Sequence, residues 1–157
     1  MTNVEFTSLL SITLALLLLA AAAIDLRTRT IPNPLVIAIA LLAPFAWWAT
    51  GMPLWPDVAI RLGVALAVFA LFASFFYLGM MGGGDVKLAA AIALWFAPFA
   101  TLQFIVITSL AGGVVTIATI VWHRWRRHEG APEVPYGVAI AFGGMWLLAQ
   151  RFLNHFA

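Results

Sequence analysis

Long apolar runs, broken by short polar stretches, dominate this chain. The first covers residues 6–24 and stops just before Asp25. A spanning helix needs about 20 apolar residues, so this run is long enough for one. A second helix is expected over 33–50, with Asn33 as its N-cap and Pro34 at the first helical position. A Pro/Trp loop at 51–56 leads into a third helix, capped by Asp57 and reaching residue 78. The uncharged stretch from Leu88 to Trp122 is too long for one crossing at about 1.5 Å per residue. Pro98 divides it, giving a short fourth helix over 85–97 and a fifth over 101–122. A last helix is expected over 136–152.

The pattern predicts an all-α, polytopic membrane protein: a single domain over 1–157 with six transmembrane helices and both termini outside. Composition agrees, with 64% hydrophobic and 9% charged residues. The first run does not read as a cleaved signal peptide, because no Lys or Arg precedes it and Glu5 does. Six crossings place Arg27, Arg29, Lys87, Arg124, Arg126 and Arg127 on the cytoplasmic side, leaving only Arg61 and Arg151 near the other face. The small basic excess therefore reads as topology and not as a nucleic-acid surface. With no cysteine, disulfides, zinc–thiolate sites and cysteine nucleophiles are excluded. The seven tryptophans suit membrane interfaces and imply no cofactor.

Topology also puts two carboxylates, Asp25 and Asp85, at the same face. A carboxylate beside hydrocarbon is costly and tends to be kept for a task. Asp85 follows Gly82, Gly83 and Gly84, whose missing side chains could let a substrate strand lie against the backbone. The plainer reading is a Gly79/Gly83 helix-packing pair, and for Asp25 an interfacial ion pair with Arg29. Two adjacent carboxylates share one proton, so one can activate water while the other polarises a scissile carbonyl. Asp25 lies at a helix C-terminal end and Asp85 at an N-terminal end. The dipole thus favours negative charge at Asp85 and makes Asp25 the proton carrier. A fourth helix of such length is too short for the hydrocarbon core, which could recess Asp85 into a wet cavity. Lys87 reads as a topology determinant that could tune Asp85. His123, His128, Glu129 and Glu133 fit a solvated loop with no metal-ligand pattern, and Pro135, Tyr136 and Gly137 a helix start.

Three segments resemble the type IV prepilin peptidases, membrane aspartic proteases of the GxGD class. They are Asp25-Leu26-Arg27-Thr28-Arg29-Thr30-Ile31-Pro32-Asn33, then Gly82-Gly83-Gly84-Asp85-Val86-Lys87-Leu88, then Pro135-Tyr136-Gly137-Val138-Ala139-Ile140-Ala141. The resemblance implies an endopeptidase of the bacterial inner membrane that cuts the leader of a prepilin at the cytoplasmic face. Asp25 and Asp85 would be the catalytic pair, with Gly82, Gly84, Lys87, Pro135, Tyr136 and Gly137 supporting or binding substrate. The expected partner is a basic leader joined to a hydrophobic helix, within the lipid bilayer, and no cofactor or metal is implied. Long members carry a cysteine-bearing domain linked to N-methylation. This chain resembles the short form of tight-adherence (Flp-type) pili, so no methyltransferase activity is expected. Archaeal preflagellin peptidases share the class. The residues alone also admit a proton-coupled transporter, though no internal repeat is found, or a pilus-assembly scaffold with structural aspartates.

Overall fold

A computed structural model of the protein describes residues 3–126 and 134–156. Arg127, His128, Glu129 and Glu133, read above as loop residues, lie outside the described residues. Six helices follow in order: α1 (Asn3–Thr28), α2 (Asn33–Ala49), α3 (Ala59–Tyr77), α4 (Gly83–Ala93), α5 (Pro98–Trp125) and α6 (Tyr136–Phe156). Among the described residues there is no strand. By length and apolarity, α1, α3 with its preceding turn, α5 and α6 can each cross a membrane, while α2 is apolar but only 17 residues long. These apolar helices mark a multi-pass membrane protein.

With 11 residues, α4 is about 16 Å long, roughly half the hydrocarbon thickness. It does not meet lipid alone. Its Val86, Leu88, Ala89, Ala91, Ile92 and Ala93 are all buried, and it packs against α2, α3 and α6. Its alanines allow that close approach. In turn α6 packs against α1, α5 and α4, so α4 and α6 form the inner pair of the bundle. Two indoles pin the far end of α4. Trp95 donates to the Ile39 carbonyl at 3.0 Å, and Trp47 donates to the Leu94 carbonyl at 3.0 Å. The outer faces carry exposed Leu41, Leu66, Leu110, Val114 and Ile117, as lipid contact requires.

Several local expectations change. The N-cap of α2 is Pro32 (φ −65°, ψ 134°), not Asn33, which is already helical. Its side chain instead accepts a hydrogen bond from Lys87 Nζ at 3.1 Å. Asp57 does not cap α3: it lies within a one-turn segment, Leu54–Val58, and Val58 holds the cap position. That turn has already started the backbone ladder, with Val58 N–H donating to the Pro53 carbonyl at 3.2 Å. Gly79 is no packing partner of Gly83. It sits past the end of α3 at φ 71°, with open space where a Cβ would be. There it closes the helix: Gly79 N–H donates to Phe76 O and Met80 N–H to Phe75 O, both at 2.9 Å.

Candidate active site

The two aspartates approach each other through three chain segments that meet at one end of the bundle. α1 continues past its apolar run to Thr28, so Asp25 stands in its last turn. The Asp25 carbonyl accepts from Arg29 N–H at 2.9 Å, and Arg29 takes a left-handed backbone (φ 54°). That conformation is rare for a residue with a side chain. It reverses the chain and drives Ile31 inward, where it is buried.

Ile31 is the wedge of the site. A Cβ added at Gly84 would stand 3.1 Å from Ile31 Cβ. One added at Gly137 would stand 2.8 Å from Ile31 Cδ1 and 2.8 Å from Asp25 Oδ2. Both helices can touch this turn only because glycine occupies those two positions. α4 thereby brings Asp85, and α6 closes over Asp25. The two carboxyl groups are near enough for their charges to interact.

Both are buried, Asp25 at 3% exposure and Asp85 at 8%. Gly82 N–H donates to Asp85 Oδ2 at 3.3 Å, the reciprocal arm of an N-terminal cap. The backbone N–H groups of Gly137 and Val138, at the start of α6, bear on Asp25. Asp25 Oδ2 and Asp85 Oδ1 have no hydrogen-bond partner among the described residues. Buried polar atoms are ordinarily paired, so each carboxylate presents an oxygen that water or a substrate group must satisfy. The only other described side-chain atom in that condition, Thr108 Oγ1, lies against Gly143, another contact between α5 and α6. Among the described residues no His/Cys/Asp/Glu cluster could hold a metal.

The expected supporting residues divide. Gly82, Gly84 and Gly137 belong to the site, and Gly82 is exposed, which leaves a surface approach to Asp85. Pro135 is buried at the start of α6. Tyr136 turns away from the aspartates: its ring stacks over Gly112, and its hydroxyl is 3.4 Å from Thr116 Oγ1. Lys87 is exposed and bonded to Asn33, which ties α4 to α2. Arg29 exerts its charge on Asp25, while no ion pair joins them among the described residues. Two contributors were not singled out from sequence, Ile31 as a wedge and Val138 as an amide donor. Ile31 lies within the 25–33 segment, yet nothing local marks a side chain that packs against glycines more than 50 and 100 residues away.

The type IV leader peptidase family matches residues 12–117. A prepilin leader peptidase/N-methyltransferase of Pectobacterium carotovorum is 26% identical over 141 residues, covering 87% of this chain and 50% of the relative. The corresponding protein of Burkholderia pseudomallei is 29% identical over 140 residues, 81% of this chain and 41% of its own. A type 4 prepilin-like proteins leader peptide-processing enzyme of Escherichia coli is 26% identical over 134 residues, with 82% and 46% covered. The chain thus spans about half the length of the curated relatives it matches. No solved structure matches. The match covers both aspartates and most of the bundle that joins them, and the chain belongs to the type IV leader peptidase family.

Proposed function

We propose that this protein is an aspartic endopeptidase that removes the leader peptide of type IV prepilins, of the Flp type, using Asp25 and Asp85. The observation that carries the reading is a pair of buried carboxylates close enough for their charges to interact, each with an oxygen left unbonded among the described residues. Family membership supports the same chemistry. The chain acts as one peptidase unit in the inner membrane, with the site at the cytoplasmic face.

In this mechanism the pair holds one proton and one water. The ionised carboxylate takes a proton from the water as its oxygen attacks the scissile carbonyl carbon. The protonated partner hydrogen-bonds the carbonyl oxygen and gives up its proton as the tetrahedral intermediate forms. On collapse the C–N bond breaks, the carboxyl that received the water proton delivers it to the departing amine, and the partner takes its own proton back from the gem-diol oxygen. The exposed Gly82, which has no side chain, admits the extended leader beside Asp85.

The test combines purified protein, an Flp-type prepilin, and the variants Asp25→Asn and Asp85→Asn. Loss of general acid–base catalysis costs about 10²–10⁴-fold. Each variant should lose processing by at least that while circular dichroism stays helical. Wild-type cutting by either variant would remove the dyad. Proton flux across vesicles without cleavage would place the protein among transporters.

A further inference from the structure

The two basic residues that break the charge pattern of the chain come together in space. Arg61 lies in the first turn of α3 and Arg151 near the end of α6, and both line one cleft of about 420 Å³. Gln103 of α5 and Gln150 of α6 also line it, and the buried Trp95 and Phe96 wall its inner side. The cleft is at the opposite end of the bundle from the aspartates: α4 begins near Asp85 and ends near Trp95, and α6 begins near Gly137 and ends near Arg151.

The two guanidinium groups are close enough to repel each other, and Asp57 offsets the charge of Arg61. Among the described residues that line the cleft there are two guanidinium groups and no carboxylate, at the edge of a low-dielectric bundle. Like charges so placed are unfavourable unless an anion joins them. Two guanidinium groups and two carboxamides line the cleft, and guanidinium forks are the side chains best suited to phosphate oxygens. At this depth the phosphate at highest local concentration is that of a lipid headgroup.

We infer that the cleft between α3, α5 and α6 is a binding site for the phosphate of an anionic phospholipid headgroup, held by Arg61 and Arg151. The site is separate from the aspartates and does not depend on the peptidase reading.

Native mass spectrometry of the delipidated protein, titrated with dioleoylphosphatidylglycerol, dioleoylphosphatidylcholine or inorganic phosphate, tests it. Wild type should retain one phosphatidylglycerol in preference to phosphatidylcholine, whose choline would face two arginines. Arg61→Gln and Arg151→Gln should each weaken that retention about tenfold. Arg124→Gln, which removes the same charge at the other end, should leave it unchanged. Arg151 is exposed, so Arg151→Gln decides the matter even if Arg61→Gln fails to fold. Saturation by inorganic phosphate, lost in the same two variants, would support the anion site and assign it to a free anion. Equal phosphatidylglycerol retention by wild type and Arg151→Gln, or no preference over phosphatidylcholine, would overturn the proposal.

Discussion

Gly137→Ala is the sharpest perturbation of the site, because it adds one methyl group at the point where three segments converge. The new Cβ would stand 2.8 Å from Asp25 Oδ2, 2.9 Å from Asp25 Cγ and 2.8 Å from Ile31 Cδ1. Ordinary carbon contacts lie near 3.5–4.0 Å, so relief needs a shift of about 1 Å. The shift cannot be absorbed on one side only, since the carboxylate and the isoleucine flank the methyl group together. Overpacking of this kind costs about 1–3 kcal/mol of stability. A misplacement of about 1 Å in a catalytic group costs about 10²-fold in rate. Prepilin processing, followed by the mobility shift of the mature pilin, should therefore fall about 10²-fold. Gly144→Ala separates this from general destabilisation. Its Cβ would stand 2.9 Å from Leu18 Cδ1, in the same helix but away from the aspartates. It should lower thermal stability while its folded fraction keeps its specific activity. Gly82→Ala, whose Cβ meets only the end of the Asp85 side chain at 3.1 Å, should fall between the two. Processing by Gly137→Ala at the wild-type rate would refute the account of how Asp25 is held.

Two further outcomes follow from the fold. Arg29→Gly should raise thermal stability by about 1 kcal/mol in detergent, because glycine takes the left-handed conformation at φ 54° without the Cβ penalty; an unchanged or lower midpoint would contradict this. Trp95→Phe should cost about 1–2 kcal/mol by removing the 3.0 Å bond to the Ile39 carbonyl at a buried site; a melting midpoint equal to wild type would show that the indole does not anchor α4.

The helices were legible because hydrocarbon demands long apolar runs, and Pro98 does open α5 after the break it was assigned. Their ends were less so. α1 extends to Thr28 and α5 to Trp125, since the backbone ladder continues into polar flanks where hydropathy has already fallen. The caps of α2 and α3 lie one residue from the expected ones: Asn33 is already helical and bonded to Lys87, and Asp57 sits inside a turn that starts the ladder before α3. Asp25 and Asp85 were legible as costly carboxylates in motifs. What joins them was not. Gly137 meets Asp25 across more than a hundred residues of chain, and Ile31 meets Gly84 across more than fifty. Local pattern carries no signal for such contacts. Lys87 shows the same limit: its nearness to Asp85 in sequence suggested tuning, yet its turn of α4 points it at Asn33.

The dipole argument for unequal aspartates also changes once α6 is in place. Asp25 does lie near the C-terminal end of its own helix, where unpaired carbonyls disfavour negative charge. But the N-terminal amides of Gly137 and Val138 bear on it from another helix. Asp85 has the N-terminus of α4 and the Gly82 N–H. Each carboxylate is therefore served by a helix N-terminus, one from its own helix and one from a neighbour. That arrangement narrows the electrostatic contrast that the chain order alone implies. On the proposed mechanism, a pair so balanced could pass its proton either way, as water attack and amine departure would require in turn. Asp25→Asn and Asp85→Asn should then lose processing to a similar extent, measured as single-turnover rates on the same prepilin. A variant that kept most of its rate would mark its aspartate as a bystander and end the dyad.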